Sequence, residues 1–185
     1  KEIKLSFSAK EDDIVSWIDR DKLEKIINNL ISNAFKFTPA KGEIALGVEK
    51  LTEMRKDFAL VKISDTGIGI PKDKLVKIFD RFYQVDDSSL KNYGGSGIGL
   101  SLVKELVDLH KWEINVESQV GKGTEFYLKI PLWDSYLDEN QKIIDTITEK
   151  SSIEDSASEK SIAVLPYSFE KEIEQEIIEN KKLLG

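Results

Sequence analysis

The sequence predicts an α+β domain over residues 1–133, followed by an acidic linker over residues 134–185. Three observations carry this prediction. Segments near the beginning and end of the first region alternate apolar and polar residues, as half-buried strands do. Two segments between them repeat apolar residues at helical spacing. Glycine and polar residues punctuate the joins where hairpins and helix ends are needed.

In chain order, KEIKLSFS and DIVSWID carry the period-two alternation and open the domain as strands. Leu23, Ile26, Ile27, Leu30, Ile31 and Ala34 then recur on one side of a helix, and Asp21 followed by Glu24 forms a capping-box pattern in front of them. Residues 44–48 and 58–63 are rich in strand formers and flank a polar connection at 52–57, which predicts a hairpin. Pro71 suits a first helical turn and predicts a short helix after it. Residues 84–97 combine DDSS, a lysine and three glycines without apolar periodicity, the composition of a mobile loop and a candidate lid. A second helix is expected from about Ile98 to Lys111, with Leu102, Val103, Leu106, Val107 and His110 on its apolar side. WEINVES and TEFYLKIPL return as strands, joined by QVGKG, whose glycines permit a tight turn.

Composition narrows the functional classes. The net charge of −7 comes entirely from residues 134–185, because acidic and basic residues balance in the first 133. A neutral body with an acidic tail argues against nucleic-acid binding, which needs a basic face. No stretch approaches the roughly 20 apolar residues that cross a bilayer, and no signal-peptide run is present, so no membrane contact by this stretch is expected. The absence of cysteine excludes disulfides and thiolate metal sites and fits a reducing compartment. The expected setting is the cytoplasm, whether or not the parent protein carries a membrane anchor. Within the tail, SSIEDSASEKS is too poor in core formers to fold alone. Phe169, Ile173 and Ile177 recur every four residues after Ser168 and predict an amphipathic helix over residues 168–184.

Three motifs carry chemistry. Asn29, Asn33 and Lys36 fall on one stripe of the first helix. Asparagine is a poor helix former, but its side-chain carbonyl is a good ligand for a hard cation such as Mg²⁺, and the lysine can meet phosphate charge. Taken alone, the pair also fits solvated or capping asparagines. DTGIGIP follows a strand; Gly67 and Gly69 let the backbone approach a ligand, and a buried Asp65 carboxylate can accept a hydrogen bond from the exocyclic amine of adenine. YGGSGIGLSL brings Gly95, Gly97 and Gly99 to the start of the second helix, where backbone amides and the helix dipole suit phosphate. Its spacing is neither that of the P-loop nor that of the dinucleotide fingerprint. Between the two glycine motifs, IFDRFYQ gathers three aromatics that serve core packing, anchorage of the lid, or both.

Taken together and in this order, these blocks resemble the catalytic domain of sensor histidine kinases, within the wider gyrase, chaperone, kinase and mismatch-repair ATPase superfamily. NLISNAFKFT resembles the N box, DTGIGIP and GGSGIGLSLVKELV the two glycine boxes, IFDRFYQ the F box, and VESQVGKGTEFYLKIPL the closing hairpin, together spanning about residues 1–132. The resemblance implies a two-layer α/β sandwich: a mixed, mostly antiparallel sheet with helices on one face and ATP between the helices and a lid. It implies that Asn33, assisted by Asn29, coordinates Mg²⁺, that Lys36 contacts phosphate and that Phe37 lies near the base. Asp65 reads the adenine amine, Gly67, Gly69 and Ile70 form the turn around it, and Thr124 assists through an ordered water. Gly95, Ser96, Gly97, Ile98, Gly99 and Leu100 line the phosphates, with Phe82 and Lys91 contributing from the lid side. The reaction implied is transfer of the γ-phosphoryl group to a histidine on a separate phosphoacceptor and dimerisation domain, with a response-regulator receiver domain downstream.

Two positions depart from the family pattern. Gln84 stands where many members carry a basic residue near the terminal phosphate, so that contact is either lost or taken by Arg81 or Lys91. HKW at residues 110–112 replaces the more usual histidine-glycine-glycine turn. His110, the sole histidine, is expected to be structural, because the family's acceptor histidine lies on a preceding domain. Two other readings are a nucleotide-responsive regulator without transfer activity and a hydrolytic superfamily ATPase. The latter would place a glutamate where Asn29 stands. The acidic tail is expected to lead to a receiver domain of a hybrid kinase.

Overall fold

A computed structural model describes residues 2–10, 14–84, 96–133 and 165–168. The elements are β1 (Lys4–Ala9), β2 (Val15–Ile18), α1 (Arg20–Phe37), β3 (Glu43–Glu53), β4 (Lys56–Asp65), α2 (Gly99–Leu109), β5 (Glu113–Gln119), β6 (Gly123–Pro131) and β7 (Leu165–Ser168). Five strands form one sheet in the order β1-β3-β4-β6-β5. Only β1 and β3 run parallel; the β3–β4, β4–β6 and β5–β6 pairs are antiparallel. The expected mixed, mostly antiparallel sheet is therefore what forms.

Both helices cover one face of this sheet. Leu23, Ile26, Ile27, Leu30, Ile31 and Ala34 of α1 are buried, as their spacing requires. They share a core with Leu46 and Val48 of β3, Val61 and Ile63 of β4, Val103 and Val107 of α2, and Phe126, Leu128 and Ile130 of β6. Each fully buried aliphatic side chain contributes about 1.5–3 kcal/mol relative to exposure, which makes this layer the main source of stability. The opposite face is polar. Lys129 reaches Glu53 at 3.0 Å and Glu113 at 2.9 Å, Lys62 reaches Glu125 at 2.9 Å, and Lys50 reaches Asp57 at 2.7 Å. Such exposed pairs are worth at most about 1 kcal/mol each, and their main effect is to keep this face wet.

Several local expectations need correction. The N-cap of α1 is Asp19, whose carboxylate accepts from the Lys22 N–H, and Asp21 lies in the first turn instead. The polar residues at 52–57 are mostly strand: Glu53 pairs with Lys56, leaving a two-residue turn of Met54 (φ 49°) and Arg55 (φ 64°). Two positive φ values in succession are the signature of the type I′ turn, which matches the twist of the strands it joins. After Pro71 there is no α-helix. Bonds from Lys74 N to Pro71 O, Lys77 N to Lys74 O and Asp80 N to Lys77 O make a chain of tight turns instead.

The end of α2 keeps its turn despite the missing glycines. Trp112 N donates to Val107 O at 2.9 Å and Lys111 N donates to Asp108 O at 3.1 Å, the double closure of a Schellman motif with His110 as C-cap. Lys111 fills the left-handed position at φ 56°, where a side chain costs about 1–2 kcal/mol. Lys111→Gly is therefore expected to raise stability by about 1 kcal/mol, less the extra unfolded-state entropy of glycine. Thermal unfolding of the two proteins checks this.

The tail was expected to be an acidic linker over residues 134–185 with an amphipathic helix over 168–184 at its end. One stretch departs from that: β7 runs antiparallel to β2, with Val15 opposite Ser168 and Ile18 opposite Leu165. β2 itself is fastened to the end of β6 by Ser16 Oγ, which donates to Pro131 O at 2.6 Å. Ser168 is thus strand, and the remainder of the amphipathic helix expected over 168–184 lies outside the described residues. Among the described residues no helix is long and apolar enough to cross a membrane.

Candidate functional site

The strand ends nearest the glycine motifs gather two sets of predicted residues, joined by α1. The first set surrounds Asp65, the last residue of β4. One carboxylate oxygen of Asp65 accepts from Gly67 N at 2.7 Å, which curls the chain into the DTGIGIP turn. Ile68 N donates to Phe37 O at 3.3 Å, so the backbone at the end of α1 braces that turn. A side chain on Gly67 would meet Phe37 O at 2.7 Å, which explains the glycine. From the other side, Gly121 N donates to Ile68 O at 2.8 Å and Ile70 N donates to Ser118 Oγ at 2.8 Å. Gly69 takes φ 70°, and a β-carbon there would stand 2.1 Å from Gln119 O. The loop is thus clamped between α1 and the β5–β6 turn.

Burial raises the pKa of Asp65, and hydrogen bonds from the backbone N–H groups of Gly67 and Thr124 offset part of that shift. Thr124 is opposite Asp65 in the β4–β6 pairing and is itself buried. A partly desolvated carboxylate beside a threonine hydroxyl can fix one polar edge of a flat ligand, since its acceptor strength is undiluted by water.

The second set lies where α1 meets α2. Asn29 donates its side-chain N–H to Lys25 O at 2.7 Å, which turns Oδ1 outward from its own helix. That oxygen faces Gly99, where a β-carbon would stand 2.7 Å from it. Gly99 begins α2, whose N-cap Ile98 supplies no side-chain hydrogen bond and whose first turn holds no acidic residue. An amide carbonyl and an uncapped helix N-terminus are therefore adjacent, the pairing suited to a cation-bound phosphate. Asn33 and Lys36 continue the stripe toward Phe37, both half-buried. The ammonium of Lys36 lies 4.8 Å from the Phe37 ring centre, and burial lowers its pKa. Eight residues of helix separate Asn29 from Phe37, a rise of about 12 Å between the two sets.

Other predicted residues are dispersed around this second set. Gly97 has φ 68°, and its O accepts from Phe82 N at 2.9 Å. Phe82 is 72% exposed, whereas Phe79 packs against the core and takes the packing role foreseen for the cluster; the lid that the cluster was expected to anchor lies largely outside the described residues. Ser96 Oγ accepts weakly from Ile98 N at 3.4 Å, and Leu100 packs inward. Lys91 and Gly95 lie outside the described residues. Among the described residues no three His, Asp or Glu side chains gather to hold a metal. A divalent cation here would rest on amide carbonyls and on oxygens that a ligand brings, which suits Mg²⁺ with phosphates.

Residues 18–134 match the histidine kinase-, DNA gyrase B- and HSP90-like ATPase family, well over half of the chain. This chain belongs to that family. Among relatives within it, the autoinducer 2 sensor kinase/phosphatase LuxQ of Vibrio vulnificus is 47% identical over 115 residues, 62% of this chain and 13% of LuxQ. Histidine kinase P4 of Formosa agariphila is 38% identical over 180 residues, 96% of this chain and 13% of that protein. The similarity to P4 therefore continues into the acidic tail. The solved catalytic domain of histidine kinase ThkA superposes with a TM-score of 0.59 at 26% identity, covering 71% of this chain and 81% of that one. Full-length ShkA in complex with AMPPNP gives a TM-score of 0.57 at 25% identity, covering 75% and 28%. The chain spans under a fifth of the length of these curated relatives.

For a histidine kinase-like ATPase, the departures noted in the sequence have local consequences. Arg81 directs Nε and a terminal nitrogen at Glu105 of α2, at 2.8 and 2.6 Å, so its guanidinium is engaged by a carboxylate of this chain. His110 is buried with Nδ1 2.7 Å from Leu106 O and its ring tilted against Trp112 at 4.7 Å. Ser118, which holds Ile70, was not among the predicted site residues; its place in VESQVGKGT opposite Thr124 is the signal that could have found it.

Proposed function

We propose that this chain binds Mg²⁺-ATP and transfers the γ-phosphoryl group to a histidine on a separate phosphoacceptor and dimerisation domain. A response-regulator receiver domain is the downstream acceptor, and the acidic tail connects to the remainder of a hybrid kinase. The observation that carries the reading is the juxtaposition of Asn29 Oδ1 with the glycine that begins α2. It brings a carbonyl ligand and helix-terminal amides to one point, about 12 Å along α1 from the level of the Asp65 turn. Support comes from the relatives named as sensor kinases and from the AMPPNP complex of ShkA.

In this scheme Asp65 and Thr124 hold the base edge, while Gly97, Gly99 and Leu100 surround the phosphates. Lys36 faces phosphate charge, and its partial burial, which lowers its pKa, leaves its charge less screened by water. Asn33 and Asn29 would hold Mg²⁺, which supplies charge neutralisation for the transferring group. The protein's task is alignment and charge stabilisation, with no covalent intermediate on this domain.

The position that bears a glutamate base in hydrolytic cousins holds Asn29, so water activation lacks a base there. The isolated domain is expected to hydrolyse ATP far more slowly than a dedicated ATPase; a phosphate-release assay checks this. The function itself is tested by titrating the chain with an ATP analogue, with and without Mg²⁺, and then supplying a phosphoacceptor domain with radiolabelled ATP. Binding followed by label on the acceptor histidine supports the proposal. Binding without transfer would leave a nucleotide-responsive module, and no binding would overturn the reading.

A further inference from the structure

Ser118 makes three polar contacts at once. Its Oγ accepts from Ile70 N at 2.8 Å, donates to Gly123 O at 2.8 Å, and lies 2.9 Å from Thr124 Oγ1. A serine hydroxyl has one proton and two acceptor sites. A backbone carbonyl cannot donate, so the single proton is committed to Gly123. The contact with Thr124 must then use the threonine proton. Ser118 is thereby saturated, and Thr124 is left with lone pairs alone for anything else it meets.

Asp65, Thr124 and Ser118 stand opposite one another on β4, β6 and β5, one row across three strands. Thr124 is 6% exposed, so solvent has little opportunity to reverse its hydroxyl. We infer that Ser118 is a specificity-determining positioning residue: by fixing the direction of the Thr124 hydroxyl, it makes Asp65 and Thr124 an acceptor-only pair that selects an exocyclic amine over a carbonyl on the base. This rests on the ATP reading above and adds to it the element that sets the polarity of the base edge. An exocyclic amine brings two hydrogens and satisfies acceptors directly or through water, whereas a carbonyl there meets lone pairs without an intervening proton.

The test compares ATP with ITP, which carries a carbonyl in place of the amine, by calorimetric titration of the full 185-residue chain. Ser118→Ala frees the Thr124 proton to turn toward the ligand. ATP binding should weaken while ITP binding tightens, shrinking the ATP preference about tenfold. Ser118→Thr, which retains the hydroxyl, should keep the wild-type ratio. If Ser118→Ala is too unstable to titrate, Ser118→Cys, with its weak donor and acceptor, should shift the ratio in the same direction. Equal weakening of both nucleotides would show that Ser118 only braces the glycine loop, overturning the inference and leaving the ATP reading intact. A wild-type chain that binds both nucleotides equally would instead overturn the adenine reading, and this inference with it.

Discussion

Asp65→Asn is expected to weaken ATP-analogue binding by about two orders of magnitude while leaving the domain at least as stable as the parent. The size follows from a charge-assisted hydrogen bond, worth about 1.5–3 kcal/mol where solvent is largely excluded. Geometry makes the loss hard to avoid. The carboxylate already accepts from the Gly67 and Thr124 N–H groups and must accept from the ligand as well. An amide offers one oxygen, so its NH₂ faces either the Gly67 N–H or the incoming amine, and both are donors.

The stability half of this expectation comes from linkage. Burial holds the Asp65 pKa above its unfolded value, so the folded state retains a proton that the unfolded state has released. Stability contributed at this site is present at low pH and declines as pH rises from the unfolded value through the folded one. A neutral asparagine removes that decline, and the melting temperature near neutral pH should stay level or rise. In the wild type, nucleotide affinity should fall on acidification, beginning at a higher pH than for an ordinary aspartate. Calorimetry across pH and thermal melts of both proteins measure all three effects. A large drop in melting temperature with Asp65→Asn would show that the carboxylate is needed for the fold itself.

The second large effect is expected at Gly123. A β-carbon there would stand 1.8 Å from Asp65 O, and the backbone has φ 114°, a region that side chains rarely enter. Neither the β4 carbonyl nor the residue can yield without breaking the register that places Thr124 opposite Asp65. Gly123→Ala should cost more than about 3 kcal/mol, a large share of the stability of a domain this size. Gly121→Ala is the internal control. Its φ of 76° is also left-handed, but no atom lies within 4 Å of the added carbon, so only the backbone cost of about 1–2 kcal/mol applies. Denaturant midpoints of the two variants should therefore separate clearly; equal midpoints would refute the steric account.

What could be read from the sequence was whatever repeats or whatever is chemically unusual. The six apolar positions of α1 are buried because helical period alone selects a face. Asp65 and the glycines stand out in the sequence because a turn closed by an aspartate after a strand needs residues without a β-carbon where backbones approach closely, as at Gly67 beside Phe37 O. The misread features depend on partners distant in sequence. Asp19 and Asp21 are equally good caps by composition, and the start of α1 after β2 decides between them. The residues after Pro71 have helical composition, but their bonds close three residues apart. Ser118 is an ordinary serine until β5 is placed beside β6, when its single proton acquires three claimants. β7 is four residues with a proline at its second position, too short for any periodic signal, and only the edge of β2 defines it.

That last pairing changes how the chain's connections should be measured. Leu132 and Trp133, where the main sheet gives out, share a surface hollow with Ile14 and Val15 at the head of β2. Ser168 then lies opposite Val15. Trp133 and Ser168 therefore both lie beside Val15, at one corner of the domain. Joining two fixed points costs only about 0.6 kcal/mol more for each doubling of the length between them. Lengthening or trimming the acidic stretch would thus leave the point of departure of the downstream chain unchanged, whereas a proline placed in β2 to unseat β7 would move it.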